Sequence, residues 1–316
     1  MRPFGFREAA GFWDAAADPE LAFRLHALVG GTPEYRAMCG GAGPRSLADF
    51  DRWVQRRLLD PASVMFGEGA LPPGEETSVA AAADPASCAS ALGAISAGVG
   101  RPSEIAATLG RPEAAVADAL AALTAMGFIE RLQDPLNGER SACVIVKPIA
   151  RLHQLVIAPH EAELAAGQAD RVWARARATV GLRIYRPHFA SVARQWCLRH
   201  AAEATLGGVA RAARPTAIAC REHRQEHELE AVFVADPVAT GCVIAIGETN
   251  GAGGPMDAGQ LRRLDHLRAL LPDERVGQPP RLLLFSRSGF AAGLAAEAAA
   301  RPDVELVDLE RLYRGG

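Results

Sequence analysis

The sequence predicts an α/β fold built from several modules: a helical segment, a winged helix-turn-helix, and a mixed sheet flanked by helices. Three observations carry that reading. The chain has 316 residues, more than one ordinary core needs. Apolar residues recur at helical spacing through the first 200 residues. From about residue 180 onward, short apolar strand candidates alternate with helical stretches, the pattern of a sheet with covering helices.

Residues 1–84 read as a helical segment followed by a linker. Pro19 and Glu20 open a run with Leu21, Leu25 and Leu28 on one face, which stops at Gly30-Gly31-Thr32-Pro33. Phe50, Val54 and Leu58 resume the helical spacing, and Pro72-Pro73-Gly74 marks a linker. Residues 85–147 carry the winged helix-turn-helix signature. Leu92, Ile95 and Val99 define a first helix, and Ile105 and Leu109 a second, opened by Arg101-Pro102 and closed by Gly110. Val116, Leu120, Leu123 and Met126 define a third, opened by Arg111-Pro112. Phe128–Leu132 and Ala142–Val146, joined through Pro135-Leu136-Asn137-Gly138, form the wing. Residues 148–179 read as an Ala-rich helical connector. Residues 180–316 hold a helix over His188–Ala204 and strands at Leu229–Ala235, Cys242–Ile246, Leu282–Phe285 and Val304–Val307. Helices near Gly259–Leu270 and Phe290–Ala300 lie between the later strands.

Composition excludes several function classes. No apolar run is long enough to span a bilayer, and the N-terminus lacks a signal-peptide pattern, so the expected compartment is the cytoplasm with no membrane partner. The six cysteines are scattered without a C-x-x-C pair, which argues for reduced thiols. Lys147 is the only lysine, preceded by Val144-Ile145-Val146 and followed by Pro148, so it cannot end a phosphate-binding loop. The chain alone is not expected to be a P-loop ATPase, and no cofactor is expected in it.

Several segments resemble the region that follows the nucleotide-binding core in prokaryotic AAA-type ATP-binding proteins of the archaeal type. Arg2-Pro3-Phe4-Gly5-Phe6-Arg7 with Phe12-Trp13, and Val29 through Arg36, are similar to the helical lid of those proteins. His188-Phe189 through Trp196-Cys197 is similar to the first helix of their C-terminal domain. Phe285 through Phe290 and Val307 through Tyr313 are similar to its closing segments. The resemblance implies a winged helix followed by a PD-(D/E)xK (restriction-endonuclease-like) domain over residues 180–316. It further implies a P-loop core ahead of Met1, with this chain as a truncated, internally started or motorless relative.

In that nuclease pattern, an acid on one strand and Glu-x-Lys on the next hold a Mg²⁺ ion that activates water. Here the carboxylates fall at Glu230 and Glu248, while Asn250 stands where the lysine belongs and Ala190 where a helix glutamate belongs. Such a degenerate site implies a non-catalytic protein that retains weak divalent-ion affinity at Glu230 and Glu248. The alternative is a Mg²⁺-dependent DNA nuclease using those two glutamates. Cys220-x-x-His223-x-x-x-His227 resembles half of a zinc motif, against a solvated strand edge; strand alternation turns Cys220 and His223 to opposite faces.

Charge places any nucleic-acid contact away from the winged helix. Residues 85–146 hold four arginines against six acids, the wrong sign for phosphate. Arg131 and Arg140 on the wing remain candidates for the DNA backbone. Between Gly181 and Pro215, Arg183, Arg186, Arg194, Arg199, Arg211 and Arg214 face only Glu203, which makes this stretch the leading candidate polyanion surface against an ordinary solvated helix. Ser286-Arg287-Ser288-Gly289 is read either as a phosphate-holding turn or as a cap with Ser288 at the N-cap. The expected function is therefore a non-catalytic regulatory or nucleic-acid-associated protein, with DNA, a separate P-loop ATPase module or a second copy of the chain as partner.

Overall fold

The computed structural model describes residues 3–72, 84–220, 225–234, 242–251 and 253–316; the side chains of Gln225, Glu230, Val232, Phe233 and Val234 lie outside this description. Most of the expected linker, the turn over 236–241 and His223 also lie outside the described residues. The chain forms two units, one of Met1–Leu132 with Ser141–Tyr185, the other of Gln133–Arg140 with Arg186–Gly316.

The first unit opens with α1 (Phe6–Phe12), α2 (Pro19–Val29), α3 (Glu34–Met38) and α4 (Leu47–Arg57). The start of α2 follows from its sequence: Asp18 accepts from the amides of Glu20 and Leu21, both at 3.1 Å, with Pro19 in the first turn. It stops at Gly30, whose φ of 75° suits glycine. Gly31 is required for a different reason, since a Cβ there would fall 2.0 Å from the carbonyl oxygen of Phe4. Leu21, Leu25 and Leu28 are buried together with Phe50, Val54 and Leu58.

Next come α5 (Pro85–Ser96), α6 (Pro102–Leu109) and α7 (Glu113–Ala125), then the hairpin of β1 (Ile129–Gln133) and β2 (Ser141–Ile145). Leu92, Ile95, Ile105, Val116, Leu120, Leu123 and Phe128 form one core, with Val99, Leu109 and Met126 packed against it. Gly110 closes α6 in the left-handed conformation. The sole lysine has a structural setting: the Lys147 ammonium lies 3.3 Å from the Glu68 carboxylate and 5.0 Å from the centre of the Phe128 ring. The connector is mostly helical, with α8 (Pro148–Leu152), a π-helical turn at His153–Ile157, α9 (Glu161–Ala165) and, after a break at 166–168, α10 (Ala169–Thr179), which runs into a second π-helical turn at Val180–Tyr185.

The second unit contains α11 (Arg186–Arg199), α12 (Glu203–Leu206), β3 (Ala212–Cys220), β4 (Gln225–Val234), β5 (Val243–Asn250), α13 (Ala258–Ala269), β6 (Arg281–Ser286), α14 (Ala292–Ala299), β7 (Val304–Asp308) and α15 (Leu309–Arg314). The five strands make one sheet in the order β3-β4-β5-β6-β7. β3, β4 and β5 pair antiparallel, whereas β5, β6 and β7 pair parallel, so the sheet is mixed and β5 is where the direction changes. Strand β3 was not expected from the sequence, because its Ala-Ala-Arg-Pro-Thr-Ala run contains a proline. Proline is tolerated here because β3 is an edge strand and Pro215 sits at a bulge, between the pairs Arg214–Val232 and Thr216–Leu229.

Residues on one side of the sheet (Ile246, Leu282, Leu284) bury against Leu261, Leu264 and Leu267 of α13 and Leu294 of α14. On the other side, α11 packs Trp196 edge-on against Phe285, with ring centres 6.2 Å apart. The residues 133–140 at the tip of the β1–β2 hairpin belong to this unit. Buried Asp134 accepts from Thr216 Oγ1 at 2.6 Å and from the amide of Leu136 at 2.8 Å, and Leu136 joins the α13-side core.

An ion-pair ring fastens α13 to the approach to β7. Arg301 lies 2.7 Å from Asp265 and 2.8 Å from Asp303, and Arg268 lies 2.9 Å and 2.7 Å from the same two carboxylates. Hydrogen bonds from Arg301 hold both carboxyl groups below their ordinary range. A depressed folded-state value adds stability above the unfolded-state value, about pH 4, and loses it as pH falls toward the folded-state value. Arg301→Met is therefore expected to weaken this unit by about 1–3 kcal/mol at neutral pH and to flatten its stability loss below about pH 4. Urea midpoints at neutral and acidic pH check this; parallel acid losses in both proteins would contradict it.

Candidate functional site

Strand β5 carries the candidate site at its C-terminal end, beside the change from antiparallel to parallel pairing. In open α/β sheets the crevice beyond the strand C-termini at a topological switch is where ligands bind. Ala231 pairs with Gly247, so β4 and β5 are neighbours, as expected for the strands of Glu230 and Glu248. The backbone of Glu230 lies at the bulge opposite Pro215, while its side chain, and hence the convergence of the two carboxylates, lies outside the described residues.

Glu248 is largely buried and turns toward α13, where its Oε2 lies 2.7 Å from Nη1 of Arg263. The pair is a close charge contact rather than an aligned hydrogen bond, since Oε2 has no hydrogen-bond partner of good geometry. The other guanidinium nitrogen of Arg263 donates to the carbonyl of Glu228 at 2.6 Å, which fixes the arginine across β4 and β5. The sequence offered no lysine to replace the missing one, but a cation reaches Glu248 from a helix more than ten residues downstream. Asn250 is occupied as well: its amide donates to the carbonyl of Gly254 at 2.7 Å.

Helix α11 comes close to the same strand end. A Cβ on Gly251 would lie 2.7 Å from Phe189 Cβ and 2.9 Å from Arg186 Cα, so glycine is what permits the approach. Ala190 follows Phe189 and is buried in α11. Arg287 also reaches this end, its Nη1 donating to the carbonyl of Gly251 at 3.3 Å. Ser288 is not an N-cap. The cap of α14 is Ala291, and Ser288 Oγ donates instead to the carbonyl of Gly253 at 2.7 Å. The amide of Arg287 donates to Asn250 O at 3.0 Å, so that N–H is already used within the turn. Two buried hydroxyls at the strand ends, Thr249 Oγ1 and Ser286 Oγ, lack hydrogen-bond partners among the described residues. Each such orphan costs about 1–3 kcal/mol.

A Mg²⁺ ion fits this arrangement poorly. The hard oxygen ligand that the pattern demands is Glu248, and its carboxylate already faces a guanidinium at 2.7 Å. A dication at that oxygen would meet the like charge of Arg263 unless the arginine left.

The arginines singled out in the sequence are dispersed. Arg183 belongs to the first unit, its guanidinium against Gly98. Arg186 and Arg199 are exposed on α11, and Arg194 is half-buried. At the β1–β2 hairpin, Arg140 pairs with Glu226 at 2.7 Å and Arg131 donates to Ser141 Oγ at 2.7 Å.

A denser cationic surface lies on α4. Arg45, Arg52, Arg56 and Arg57 line a groove with Trp53, Gly43 and Pro44, and Asp49 is its one acid. All four arginines are exposed, and among the described residues none has an ion-pair partner. Asp51, the other acid of α4, is turned to α10, where it accepts from Trp173 Nε1 at 2.9 Å and pairs with Arg177 at 2.5 Å. The sequence signal existed, since Arg52 and Arg56 share a helix face four residues apart. It was hidden by Asp49, Asp51 and Asp60, which nearly cancel the local charge on paper.

Six cysteines are free thiols, five of them buried. Cys220 and His227 share a face of β3 and β4, since His227 pairs with Ile218, two residues before Cys220. His266 joins them from α13, with its Nε2 3.7 Å from Cys220 Sγ. No helix among the described residues is long and apolar enough to cross a membrane.

The fold is thus that of a mixed α/β protein. Comparison with protein-family models, with curated proteins and with solved structures returns no match.

Proposed function

We propose that the chain is a non-catalytic, nucleic-acid-associated protein, with a winged helix over 85–147 and a degenerate nuclease-like sheet over 180–316. Its sequence resemblance to the tail of AAA-type ATP-binding proteins supports that ancestry. The observation that carries the association is the α4 groove: four exposed arginines around one acid, with no ion-pair partners of their own among the described residues. Exposed guanidinium groups spaced along a helix neutralise successive phosphates, and Trp53 underneath, donating Nε1 to Ala42 O at 3.1 Å, stiffens the floor. The non-catalytic half of the proposal rests on Glu248 facing Arg263 and on Asn250 bonded to Gly254.

Binding of this kind is indifferent to base sequence and steeply salt-dependent. Fluorescence anisotropy with labelled single- and double-stranded DNA is the test. The Arg52→Ala/Arg56→Ala variant is expected to bind roughly ten- to a hundredfold more weakly and to lower the salt slope by about 1.5–2. Arg131→Ala/Arg140→Ala is expected to change little, because both wing arginines are engaged by Ser141 and Glu226. Wild-type affinity in the α4 variant would remove the groove as the interface, and absence of any salt-dependent binding would end the reading.

A further inference from the structure

The geometry points to a transition-metal site that the degenerate nuclease motif does not include: Cys220, His227 and His266 form a three-ligand centre for Zn²⁺ or a similar borderline cation. One ligand atom from each residue lies within 4.8 Å of the other two. Cys220 Sγ and His266 Nε2 are 3.7 Å apart. With Zn–S near 2.3 Å and Zn–N near 2.0–2.1 Å, a tetrahedral site places sulfur and nitrogen about 3.6 Å apart. The two imidazoles stand 5.8 Å apart, centre to centre, and nearly perpendicular at 85°, so neither ring blocks the other's approach to a shared point.

The fold explains why three residues distant in sequence meet. Cys220 ends the edge strand β3, and His227 sits diagonally across from it on β4, on the same face. That face is covered by α13, whose Leu261, Leu264 and Leu267 pack onto Ile218 and Leu229. His266 therefore projects over the end of the β3–β4 pair. Arg263 lies one turn earlier on the same helix and closes on Glu248, so α13 serves two separate polar clusters. Donor chemistry separates them as well. A thiolate and two imidazoles select zinc, cobalt or copper, whereas Mg²⁺ requires oxygens. Cys220 is buried and both histidines half-buried, so the centre is screened from bulk water. Binding converts the thiol to thiolate, and the proton leaves to solvent.

The test uses the full chain, purified, stripped with a chelator and titrated with Co²⁺ under reducing conditions. One equivalent is expected to give a thiolate-to-cobalt charge-transfer band together with the visible bands of a tetrahedral ion, and Zn²⁺ is expected to displace it. Cys220→Ser is expected to abolish the charge-transfer band. His227→Gln and His266→Gln are expected to weaken Co²⁺ by more than about a hundredfold, beyond the usual effect of losing a residue that only supports a ligand. Cys242→Ser, at the half-buried thiol outside the cluster, should leave every band in place. Circular dichroism separates misfolding from ligand loss; should Cys220→Ser fail to fold, the two histidine variants decide. A titration without a thiolate band, or one unchanged in folded His266→Gln, overturns the proposal.

Discussion

Trp196→Ala is expected to cost the second unit about 3–5 kcal/mol, the range for removing a fully buried large aromatic. Total domain stability is of order 5–15 kcal/mol, so one substitution would remove a third or more of it. Trp196 is completely buried in α11, and three different partners surround it. Phe285 of β6 meets it edge-on at 6.2 Å, the Arg311 guanidinium lies 5.7 Å from its ring centre, and its Nε1 donates to the carbonyl of Gly315 at 3.4 Å. One side chain thus joins the first helix of the unit, a central strand and the C-terminal helix. Alanine would leave a cavity between rigid elements that cannot collapse far, which puts the cost toward the upper end. Trp196→Phe keeps the edge contact and most of the volume, so it should recover more than half of the loss. Denaturant midpoints of the three proteins measure the series. An alanine variant within about 1 kcal/mol of wild type would mean that the helix does not anchor the sheet as described.

The elements of this fold were legible where local pattern and tertiary burial agree. Leu92, Ile95, Ile105, Val116 and Leu123 spell out a helical core in the sequence, and those same side chains are the buried ones. Strand β6 and the first half of β5 are continuous apolar runs, Leu282-Leu283-Leu284-Phe285 and Val243-Ile244-Ala245-Ile246, as expected of interior strands covered on both sides. Strand β3 was illegible because its stability comes from pairing with β4 and not from its own residues; Pro215 is acceptable only at an edge bulge, which no local signal announces. The candidate sites divide in the same way. Glu248 and Asn250 could be read from a two-residue spacing on one strand. Arg263 and His266 could not, because their meaning depends on where α13 lies over the sheet, and helix-to-sheet register is not written in periodicity. The arginine that faces Glu248 changes how Asn250, at the place the resemblance gives to lysine, is understood, since the carboxylate stays largely buried with a compensating charge at 2.7 Å. The α4 groove was missed for an electrostatic reason: counting charge along the chain ignores that Asp51 is turned away to Trp173 and Arg177.

DNA incubated with the chain in Mg²⁺ or Mn²⁺ is expected to remain uncut, and single repairs of the motif are expected to fail. Loss of one group that stabilises transition-state charge costs typically about 3–4 kcal/mol, or a factor of about 10²–10³ in rate. Asn250→Lys restores that charge in name only. Glu248 would still face Arg263, and the new ammonium would add a second cation beside a carboxylate that must hold a metal. Ala190→Glu with Asn250→Lys supplies both residue types of the pattern, but α11 covers the sheet face opposite the one from which Glu248 meets α13, and the Arg263 obstruction stays. That obstruction singles out Arg263→Gln as the change that must accompany any repair. Alone, it should expose Glu248 to ions and raise weak Mn²⁺ affinity, at some cost in stability because a largely buried carboxylate loses its partner. Combined with Asn250→Lys, on the same face of β5 as Glu248, it is the variant in which metal-dependent nicking should first appear above background. Mn²⁺ titration followed by electron paramagnetic resonance reads the first effect, and conversion of supercoiled plasmid to open circles reads the second. A wild-type nicking activity that vanishes in Glu248→Ala would refute the non-catalytic reading outright. Unchanged Mn²⁺ affinity in folded Arg263→Gln would show that the guanidinium is not what closes the site.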